Sequence, residues 1–475
     1  MKKFYITTTA PYVNASPHIG FALEITQADA LARFKRIMGF DVAFGFGTDE
    51  HGLKIYRKAL ETKKDPQIYC DEYAEKFDDL KKILNLSTTH FIRTTDKRHI
   101  KAACEFWMRC LKNGDIYKKN YRIRYCVGCE LEKTDSELVD GLCPIHPNLK
   151  IEEYEEENYF FRFSKYQKRL LKLYEQQPNF VLPSSRLKEI KTFVEGGLED
   201  FSISRLKSKM PWGIDVPNDS TQVMYVWFDA LIFYISTIGW PDDQNEFEKW
   251  WPCVQVAGKD NLRQQTAIWQ AMLMSANLTN SKQVFIHGFI NANNQKMSKS
   301  LGNVIDPFDL VKKYGTDTVR YYLLREIPPF GDGDFSISRM DEIYKSDLSN
   351  ELGNLVLRIT TLAEKDNLSI NDPPATQASL LALRAGETIK QFESFRFNLI
   401  LETIWKDIKR LNKKIDGFAP WKKDVKEREK FLFDCLSEIQ KIGVQLMPFL
   451  PQTAQKIILA TQGKIKKIAP LFPRI

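Results

Sequence analysis

The sequence predicts an α/β protein whose parallel-sheet domain is split by a cysteine-bearing insertion and followed by an all-α helical bundle. Three observations lead to this fold class. Strand-like and helix-like segments alternate near the N-terminus and again from about residue 254. Three of the eight cysteines lie between residues 126 and 143, in a region of short segments. After about residue 340, long amphipathic stretches replace the strands.

Length and composition are those of a folded, multidomain protein. A chain of 475 residues is long for one core and suggests about three domains. Its net charge of +8 allows a polyanionic partner without requiring one. The first residues lack a signal-peptide pattern, and no apolar run has membrane-spanning length. We therefore expect a cytoplasmic protein that does not associate with membranes. Eight cysteines are too few for a disulfide scaffold.

The N-terminal segments predict a βαβ unit. Residues Phe4 to Thr9 are rich in strand-forming types, and Phe21 to Met38 has apolar residues at helical spacing. A second strand over Asp41 to Phe46 precedes the helix-like stretch LKIYRKALETK. Because a strand, a helix and a second strand follow one another, the sheet should be parallel.

The alternation stops near residue 115 and returns later in the chain. The returning segments are QVAGKD, LRQQTAIWQAMLMSA and VFIHGFI. The middle of the chain is therefore predicted to be an insertion into one α/β domain. The helical bundle is predicted from SNELGNLVLRITTLAEK, FNLILETIWKDIKRLNKK and KFLFDCLSEIQKIGVQLM. We expect the sheet domain to consist of two halves, 1–115 and 229–310, with the insertion, 116–228, between them. A connector, 311–345, and the helical bundle, 346–475, should follow.

A histidine marks the first predicted turn from strand to helix, in TTTAPYVNASPHIGFALEI. The imidazole of His18 and the free N–H groups of the helix start can face one anion together, and a phosphate would fit. Open α/β sheets bind ligands at the carboxyl ends of their strands, which makes the location favourable. The tripeptide His-Ile-Gly alone leaves a second interpretation open, in which His18 only caps the helix or lies on the surface.

A second motif, QKMSKSLGN, covers residues 295 to 303. Lys296 and Lys299 flank Met297 and Ser298, so two mobile ammonium groups are available to close over a phosphate chain. A solvated basic loop is the alternative interpretation. The pentapeptide KMSKS is far more specific as a motif than the histidine.

The clustered cysteines have the spacing of a metal site. Cys126 and Cys129 form one C-x2-C pair, and Cys143 and His146 follow thirteen residues later as C-x2-H. Four such ligands suit tetrahedral Zn²⁺ and leave no open coordination position, so one structural zinc is predicted. Three ordinary buried thiols are the alternative. Because thiolates must be deprotonated to bind, metal binding and folding of this region should be coupled.

Together these motifs resemble known enzymes. Pro-His-Ile-Gly on a first strand-to-helix turn and Lys-Met-Ser-Lys-Ser far downstream resemble the paired motifs of class I aminoacyl-tRNA synthetases. The stretches TTTAPYVNASPHIG, MYVWFDALIFYIS and FIHGFINANNQKMSKSLGN are similar to those of the methionyl-tRNA synthetase family. EGGLEDFSISR, GDGDFS, LGNLVLR and APW add to a resemblance that runs from residue 3 to about 460.

The resemblance implies a Rossmann-like catalytic domain that converts methionine and Mg²⁺-ATP into methionyl adenylate and pyrophosphate, then charges tRNA(Met). It implies catalytic roles for His18, Lys296 and Lys299. The residues implied for ATP are Pro17, His18, Gly20, Phe21, Gly258, Asp260, Lys296, Met297, Ser298 and Lys299. Those implied for methionine are Ala10, Tyr12, Asp49, Trp227, Leu231, Tyr234 and His287, with Asp49 holding the ammonium. From composition alone, Trp227 and Tyr234 would be ordinary core residues.

The bundle is implied to read the CAU anticodon. Asn354 and Arg358 are four residues apart and share one helix face, and Pro420 and Trp421 follow the next long helices. A tryptophan can stack on an unpaired base, although Trp421 could equally be a core residue. The chain ends at Ile475, soon after this bundle, and we expect a monomer.

Two departures from the family pattern lie in its nucleotide motifs. Phe21 occupies the position of a second histidine, and it cannot donate the hydrogen bond whose loss costs about 2.7 to 4 kcal/mol in comparable sites. Gln264, Gln265 and Gln270 stand where a Phe-His pair and a proline are usual. Either another residue compensates in a functional ligase, which the remaining motifs favour, or the chain is a paralogue. Such a paralogue would bind or regulate tRNA, or pass the adenylate to another acceptor.

Overall fold

The computed structural model describes residues 2–129, 131–133, 137–297, 302–370, 383 and 386–474. Within these ranges no helix is both long and apolar enough to cross a bilayer.

The N-terminal part alternates strands and helices, as the sequence predicts. Its elements are β1 (Lys3–Thr7), α1 (Ile19–Ile37), β2 (Asp41–Thr48), α2 (Leu53–Glu61), α3 (Pro66–Ile83), β3 (His90–Arg93) and α4 (Lys97–Lys112). Local sequence fixes the helix starts. Asp65 caps α3 by accepting from the N–H of Gln67 at 2.8 Å, and Pro66 occupies the first helical position.

The middle of the chain contains short strands and two helices. They are β4 (Ile116–Cys126), β5 (Leu131–Glu132), β6 (Glu152–Phe161), α5 (Gln167–Gln176), β7 (Val181–Leu182), α6 (Ser184–Glu195), β8 (Phe201–Ser202), β9 (Ser204–Leu206), β10 (Asp215–Val216) and β11 (Asp219–Met224). Strands β4 and β6 pair antiparallel from Ile116 opposite Phe161 to Tyr125 opposite Glu152. This ribbon carries the cysteine region at its far end, because β4 ends at Cys126.

The alternation resumes before residue 254 and extends into the connector. These elements are α7 (Val226–Ala230), α8 (Phe233–Ser236), α9 (Gln244–Trp250), β12 (Val254–Gly258), α10 (Trp269–Ser275), β13 (Gln283–His287), β14 (Ile290–Ala292), β15 (Gln295–Lys296), α11 (Pro307–Tyr314), α12 (Thr316–Arg325), β16 (Gly333–Phe335) and α13 (Ile337–Ile343). A π-helical segment over Gln264–Ile268 precedes α10.

The C-terminal part is helical, with one small exception. Its elements are α14 (Asn354–Lys365), β17 (Ser369–Ile370), α15 (Gly386–Glu393), α16 (Phe397–Phe418), α17 (Val425–Leu446), α18 (Pro451–Ala460) and β18 (Gly463–Lys464). A π-helical segment, Tyr344–Gly353, leads into α14. The strands β17 and β18 pair with each other, so the expectation that strands end near residue 340 was wrong for these four residues.

Six parallel strands form the central sheet, in the order β3-β2-β1-β12-β13-β7. Successive residues of β1 and β2 are buried. Because successive residues of a strand point to opposite sides, both faces of the sheet are covered. Phe4 and Ile6 of β1 join one hydrophobic cluster with α1, and Tyr5 joins another with α4. Strand β7 comes from the middle region yet pairs with β13 at the sheet edge. The connections that follow β1, β2, β12 and β13 therefore meet at one end of this sheet.

Candidate active site

A cavity of about 610 Å³ opens where these connections meet. It contains all the residues predicted to bind methionine or ATP whose side chains the structure describes. These are Ala10, Tyr12, Pro17, His18, Gly20, Phe21, Asp49, Trp227, Leu231, Tyr234, Gly258, Asp260, His287 and Met297. Ser298, Lys299 and the side chain of Lys296 lie outside the described part of the chain.

The predicted phosphate turn begins helix α1. His18 is the N-cap residue, and its Nδ1 accepts from the backbone N–H of Gly20 at 3.0 Å. Because Nδ1 is an acceptor here, a neutral His18 carries its proton on Nε2. The N–H of Ile19 donates to the carbonyl of Ile305 at 3.0 Å, which brings the chain after the lysine motif beside this turn. Met297, within that motif, and Val304, directly after it, both line the cavity.

Phe21 belongs to an aromatic wall of the cavity. Its ring meets Phe77 of α3 edge to face, with centroids 5.6 Å apart at 77°. Both rings line the cavity and are largely buried. The packing against Phe77 therefore accommodates a phenylalanine at this position.

A buried ion pair lies at the centre of the cavity wall. Glu24 of α1 accepts from the N–H and the hydroxyl of Thr9 at 2.7 and 2.6 Å. Its other carboxylate oxygen lies 3.1 Å from His287 Nε2, while His287 Nδ1 lies 2.7 Å from the carbonyl of Gly288. Both ring nitrogens of His287 thus face acceptors, which favours the imidazolium. Burial opposes this charge, but the hydrogen bond and the charge of Glu24 prevail and raise the pKa of His287.

The raised pKa of His287 predicts how this pair contributes to stability. The folded-state pKa exceeds the ordinary value of 6.5, so the contribution is complete below that pH and is lost as pH rises through the folded pKa. We expect the melting temperature of wild type, minus that of His287→Gln, to shrink as the pH rises above the ordinary histidine pKa of 6.5. Thermal unfolding followed by circular dichroism measures it. A difference that stays level or grows with pH would contradict this assignment.

The other end of the cavity is largely apolar and aromatic. Trp227 comes from α7, and Leu231 and Tyr234 follow it along the chain. Tyr12 and Asp49, which also line the cavity, lie side by side in an isolated parallel bridge. The hydroxyl of Tyr12 donates to the carbonyl of His51 at 2.8 Å, which fixes the direction of its ring. A carboxylate thus lies beside a pocket of aromatic and aliphatic side chains.

Two of the glutamines that depart from the family pattern, Gln265 and Gln270, are tied to the methionine end of the cavity. Gln265 lines the cavity, and its Oε1 accepts from Gln255 Nε2 at 3.0 Å. Burial raises the pKa of the Tyr234 phenol, and hydrogen bonds with Gln265 and Gln255 act in the opposite direction. Gln265 therefore contacts a residue predicted for methionine. Gln270 lies deeper, where its Nε2 donates to the carbonyl of Gln265 at 2.8 Å within the π-helical segment.

The four predicted metal ligands converge at the end of the β4–β6 ribbon. One ligand atom from each of Cys126, Cys129, Cys143 and His146 lies within 4.8 Å of the others. Cys129 Sγ is 3.4 Å from Cys143 Sγ and 3.1 Å from His146 Nδ1. Zinc–sulfur bonds of about 2.3 Å in a tetrahedron give edges of about 3.8 Å, close to these separations. The cluster therefore suggests a zinc site.

The cysteine cluster also touches the cavity. Cys129 is one of the cavity-lining residues, as is Lys54 of α2. The ammonium group of Lys54 lies 3.3 Å from the carbonyl of Gly128. Gly128 must be a glycine, because a Cβ there would lie 2.5 Å from the ring of His146. A structural change in the cysteine cluster would therefore reach the part of the cavity lined by Cys129 and Lys54.

Sequence reasoning missed several polar residues of this region. Glu24, Lys54 and Gln265 line the cavity but were not predicted to bind substrate. Glu24 and Asp229 share a signal that could have been used, since each is an acidic residue inside an otherwise apolar run, GFALEI and YVWFDALIF.

The predicted anticodon residues gather on the helical part. Arg358 of α14 forms an ion pair with Asp416 at 2.7 Å, and its guanidinium lies 5.5 Å from the ring centre of Trp421. Trp421 is 50% exposed, so it is not a core residue. Asn354 is exposed one turn before Arg358 on the same helix, and Pro420 is buried beside Trp421.

Comparison with known proteins agrees with this architecture. A family model described as "tRNA synthetases class I (M)" matches residues 4–360. The methionine–tRNA ligase of Thermotoga maritima is 44% identical over 96% of this chain and 74% of its own length. That of a Synechocystis species is 42% identical over 96% of this chain and 88% of its own. The structure of Mycobacterium tuberculosis methionyl-tRNA synthetase with methionyl-adenylate superposes with a TM-score of 0.91 at 35% identity, covering 100% of both chains. The chain therefore belongs to the methionyl-tRNA synthetases, the methionine–tRNA ligases among the class I aminoacyl-tRNA synthetases.

Proposed function

We propose that this cavity joins methionine to ATP and that the chain then transfers the methionyl group to tRNA(Met). One observation carries the proposal: those residues predicted for the two substrates whose side chains the structure describes line a single cavity. A methionine carboxylate oxygen would attack the α-phosphorus of Mg²⁺-ATP, and pyrophosphate would leave. A hydroxyl of the tRNA end would then attack the carbonyl carbon, and AMP would leave. We propose a monomer as the working unit.

Methionine is proposed to occupy the apolar end of the cavity. Asp49 would hold the ammonium group, since a carboxylate at a largely buried position is a fit partner for it. The thioether would lie among Ala10, Tyr12, Trp227, Leu231, Tyr234 and His287. Aromatic rings suit a polarizable sulfur. One methylene in an apolar pocket discriminates by only about 1 to 3 kcal/mol, so hydroxyl and imidazole groups near sulfur would add selectivity.

The phosphates are proposed to bind at the start of α1. His18 Nε2–H would donate to a phosphate oxygen, while Lys296 and Lys299 would close over the chain as two cations. Positioning and charge stabilisation supply most of the catalysis in attack at phosphorus. We assign the remaining nucleotide contacts to Pro17, Gly20, Phe21, Gly258, Asp260, Met297 and Ser298.

Lys76 is the residue that we infer compensates for Phe21. It precedes Phe77, the ring against which Phe21 packs. Its ammonium group lies 3.5 Å from Ser16 Oγ, on the turn that carries His18. Lys76 is exposed, and no carboxylate of the described residues forms an ion pair with it. Its ammonium group also lies 4.5 Å from the ring centre of Tyr73. A cation on a flexible stem beside the lining residues Ser16 and Phe77 can approach a bound polyphosphate.

The activation step is tested by methionine-dependent exchange of pyrophosphate into ATP. We expect ready exchange by wild type and a change of less than about threefold in kcat for Phe21→His, because Lys76 already supplies the charge. Lys76→Gln should lower kcat in wild type by about tenfold and have a smaller effect in Phe21→His, where the new imidazole replaces it. Near-zero exchange by wild type, restored by Phe21→His, would contradict compensation and favour a paralogue.

The four converging thiol and imidazole groups are proposed to hold one structural Zn²⁺. Four protein ligands would fill all the positions of a tetrahedral ion. The ion would therefore organise the inserted region and would not activate water. We likewise propose that 116–228 is the insertion, 311–345 the connector and 346–475 the anticodon-binding domain, with 1–115 and 229–310 as the two catalytic halves.

Asn354, Arg358, Pro420 and Trp421 are proposed to read the CAU anticodon. The half-exposed indole of Trp421 is available for stacking, and the guanidinium of Arg358 lies next to it. An unstacked base and an aromatic ring attract through their faces, which is how single-stranded loops are held. Asn354 and Arg358 would supply donors to base edges on the same side of α14.

Replacing Trp421 should separate tRNA charging from methionine activation. We expect Trp421→Ala to lower kcat/KM for charging by about 5- to 150-fold, the effect of losing about 1 to 3 kcal/mol of stacking on one base. Pyrophosphate exchange without tRNA should not change. Leu459→Ala, which removes another exposed apolar side chain from the helical part, is the control. Equal charging by Trp421→Ala and wild type would contradict the assignment.

A further inference from the structure

A fully buried carboxylate lies behind the methionine end of the cavity. Asp229, in α7, has no exposed side-chain surface. Its Oδ2 accepts from His51 Nδ1 at 2.7 Å and its Oδ1 accepts from His99 Nε2 at 2.7 Å. Burial alone would raise the pKa of Asp229, but the two imidazoles hold it at about 2, so the carboxylate is ionised.

The two histidines belong to different parts of the fold. His51 follows β2, two residues after Asp49, and its carbonyl accepts from the hydroxyl of Tyr12 at 2.8 Å. His99 lies in α4, and its Nδ1 is 2.9 Å from the hydroxyl of Ser236 at the end of α8. Asp229 therefore connects the segment that holds Asp49 and His51 to helix α4.

The segment between these contacts lines the same cavity. Trp227, Leu231 and Tyr234 all lie between residues 226 and 236 and line the cavity. This segment is held at Asp229 near its start and at Ser236 at its end, in both cases through His99. The His51–Asp229–His99 chain thus connects the two segments that line the pocket that would enclose the amino acid.

We propose that Asp229 is a positioning residue that sets the separation between the ammonium-binding wall and the side-chain-binding wall of the methionine pocket. It touches no substrate atom itself. Buried carboxylates that accept two imidazole N–H groups fix their partners firmly, because neither donor has another acceptor if the carboxylate is lost. This inference rests on the proposed function, since it concerns the pocket assigned to methionine.

Asp229→Asn tests the proposal, because the amide keeps the size of the side chain but can accept from only one imidazole N–H. We expect KM for methionine in pyrophosphate exchange to rise about 10- to 100-fold, with KM for ATP within about twofold of wild type. Methionine binding measured by calorimetry should weaken in parallel. Asp115→Asn is the matched control, because Asp115 is also buried and accepts from Tyr166, Ser275 and Lys165 away from the cavity. It should lower the melting temperature without changing KM for methionine.

A second pair of variants answers the case in which Asp229→Asn fails to fold. His99→Leu should raise KM for methionine about tenfold, while His99→Gln, which keeps an N–H donor for Asp229, should stay within about threefold of wild type. An unchanged KM in Asp229→Asn and His99→Leu, with normal exchange by wild type, would overturn this inference alone. Absence of methionine-dependent exchange by wild type would instead overturn the proposed function.

Discussion

His18→Asn should lower kcat for methionine-dependent pyrophosphate exchange by about 100- to 1000-fold, the effect of removing one well-placed donor to developing charge. The structure provides the reason: His18 lines the cavity, and its Nδ1 accepts from the N–H of Gly20, which leaves Nε2 to carry the proton of the neutral imidazole. The asparagine side chain can still accept from the N–H of Gly20, so helix capping is preserved. Steady-state exchange with saturating methionine and ATP measures the loss.

The choice of asparagine separates catalysis from capping. His18→Ala removes both functions, and should lose about 0.5 to 2 kcal/mol of stability in addition to the rate. His18→Asn should melt within a few degrees of wild type while sharing the low rate. If His18→Asn exchanged pyrophosphate as fast as wild type, the imidazole would serve only to begin α1, which is the alternative that the sequence left open.

Loss of the metal cluster should have the second large effect. We expect Cys143→Ser to reduce bound zinc from about one ion per chain to less than about 0.1, since structural zinc contributes about 10 to 16 kcal/mol of apparent binding energy in small domains. Exchange activity should fall as well, because Cys129 lines the cavity and Lys54 bonds to the carbonyl of Gly128. Metal content by mass spectrometry and exchange measured on the same sample test both expectations.

Two further variants control this experiment. Cys435→Ser changes a buried thiol of α17, far along the chain from the cluster, and should keep the full zinc content. Gly128→Ala leaves all four ligands in place but forces a methyl group against the ring of His146, so it should weaken zinc binding. Full zinc content in Cys143→Ser would show that the thiols are ordinary buried cysteines.

Much of the fold could be predicted from patterns along the chain. The helix predicted from Phe21 to Met38 is α1, Ile19–Ile37, and the strand predicted from Asp41 to Phe46 is β2, Asp41–Thr48. Both elements are long apolar runs that the structure buries almost throughout, so local sequence is enough to find them. Strand β7 could not be found in this way, because two residues show no periodicity and their pairing with β13 depends on the folded chain. The same holds for β17 and β18.

Cavity residues that belong to a recognisable motif could be predicted from the sequence. Cavity residues that are brought together only by the folded chain could not. His18 and Asp49 came from recognisable stretches, and the structure places both on one cavity. Glu24 and Asp229 are charges whose partners, His287 and the His51–His99 pair, come from distant parts of the sequence. A buried charge requires such partners, but the sequence does not say which residues they are.

The central claim is that a chain with Phe21 in its first motif is a working methionine–tRNA ligase. Charging of a tRNA transcript bearing CAU, with methionine and Mg²⁺-ATP, tests it most directly. We predict that wild type forms methionyl-tRNA and that a transcript with a changed anticodon is charged far more slowly. Formation of methionyl adenylate without charging of the CAU transcript would contradict this account and indicate another acceptor, and absence of both would indicate a paralogue without the ligase reaction.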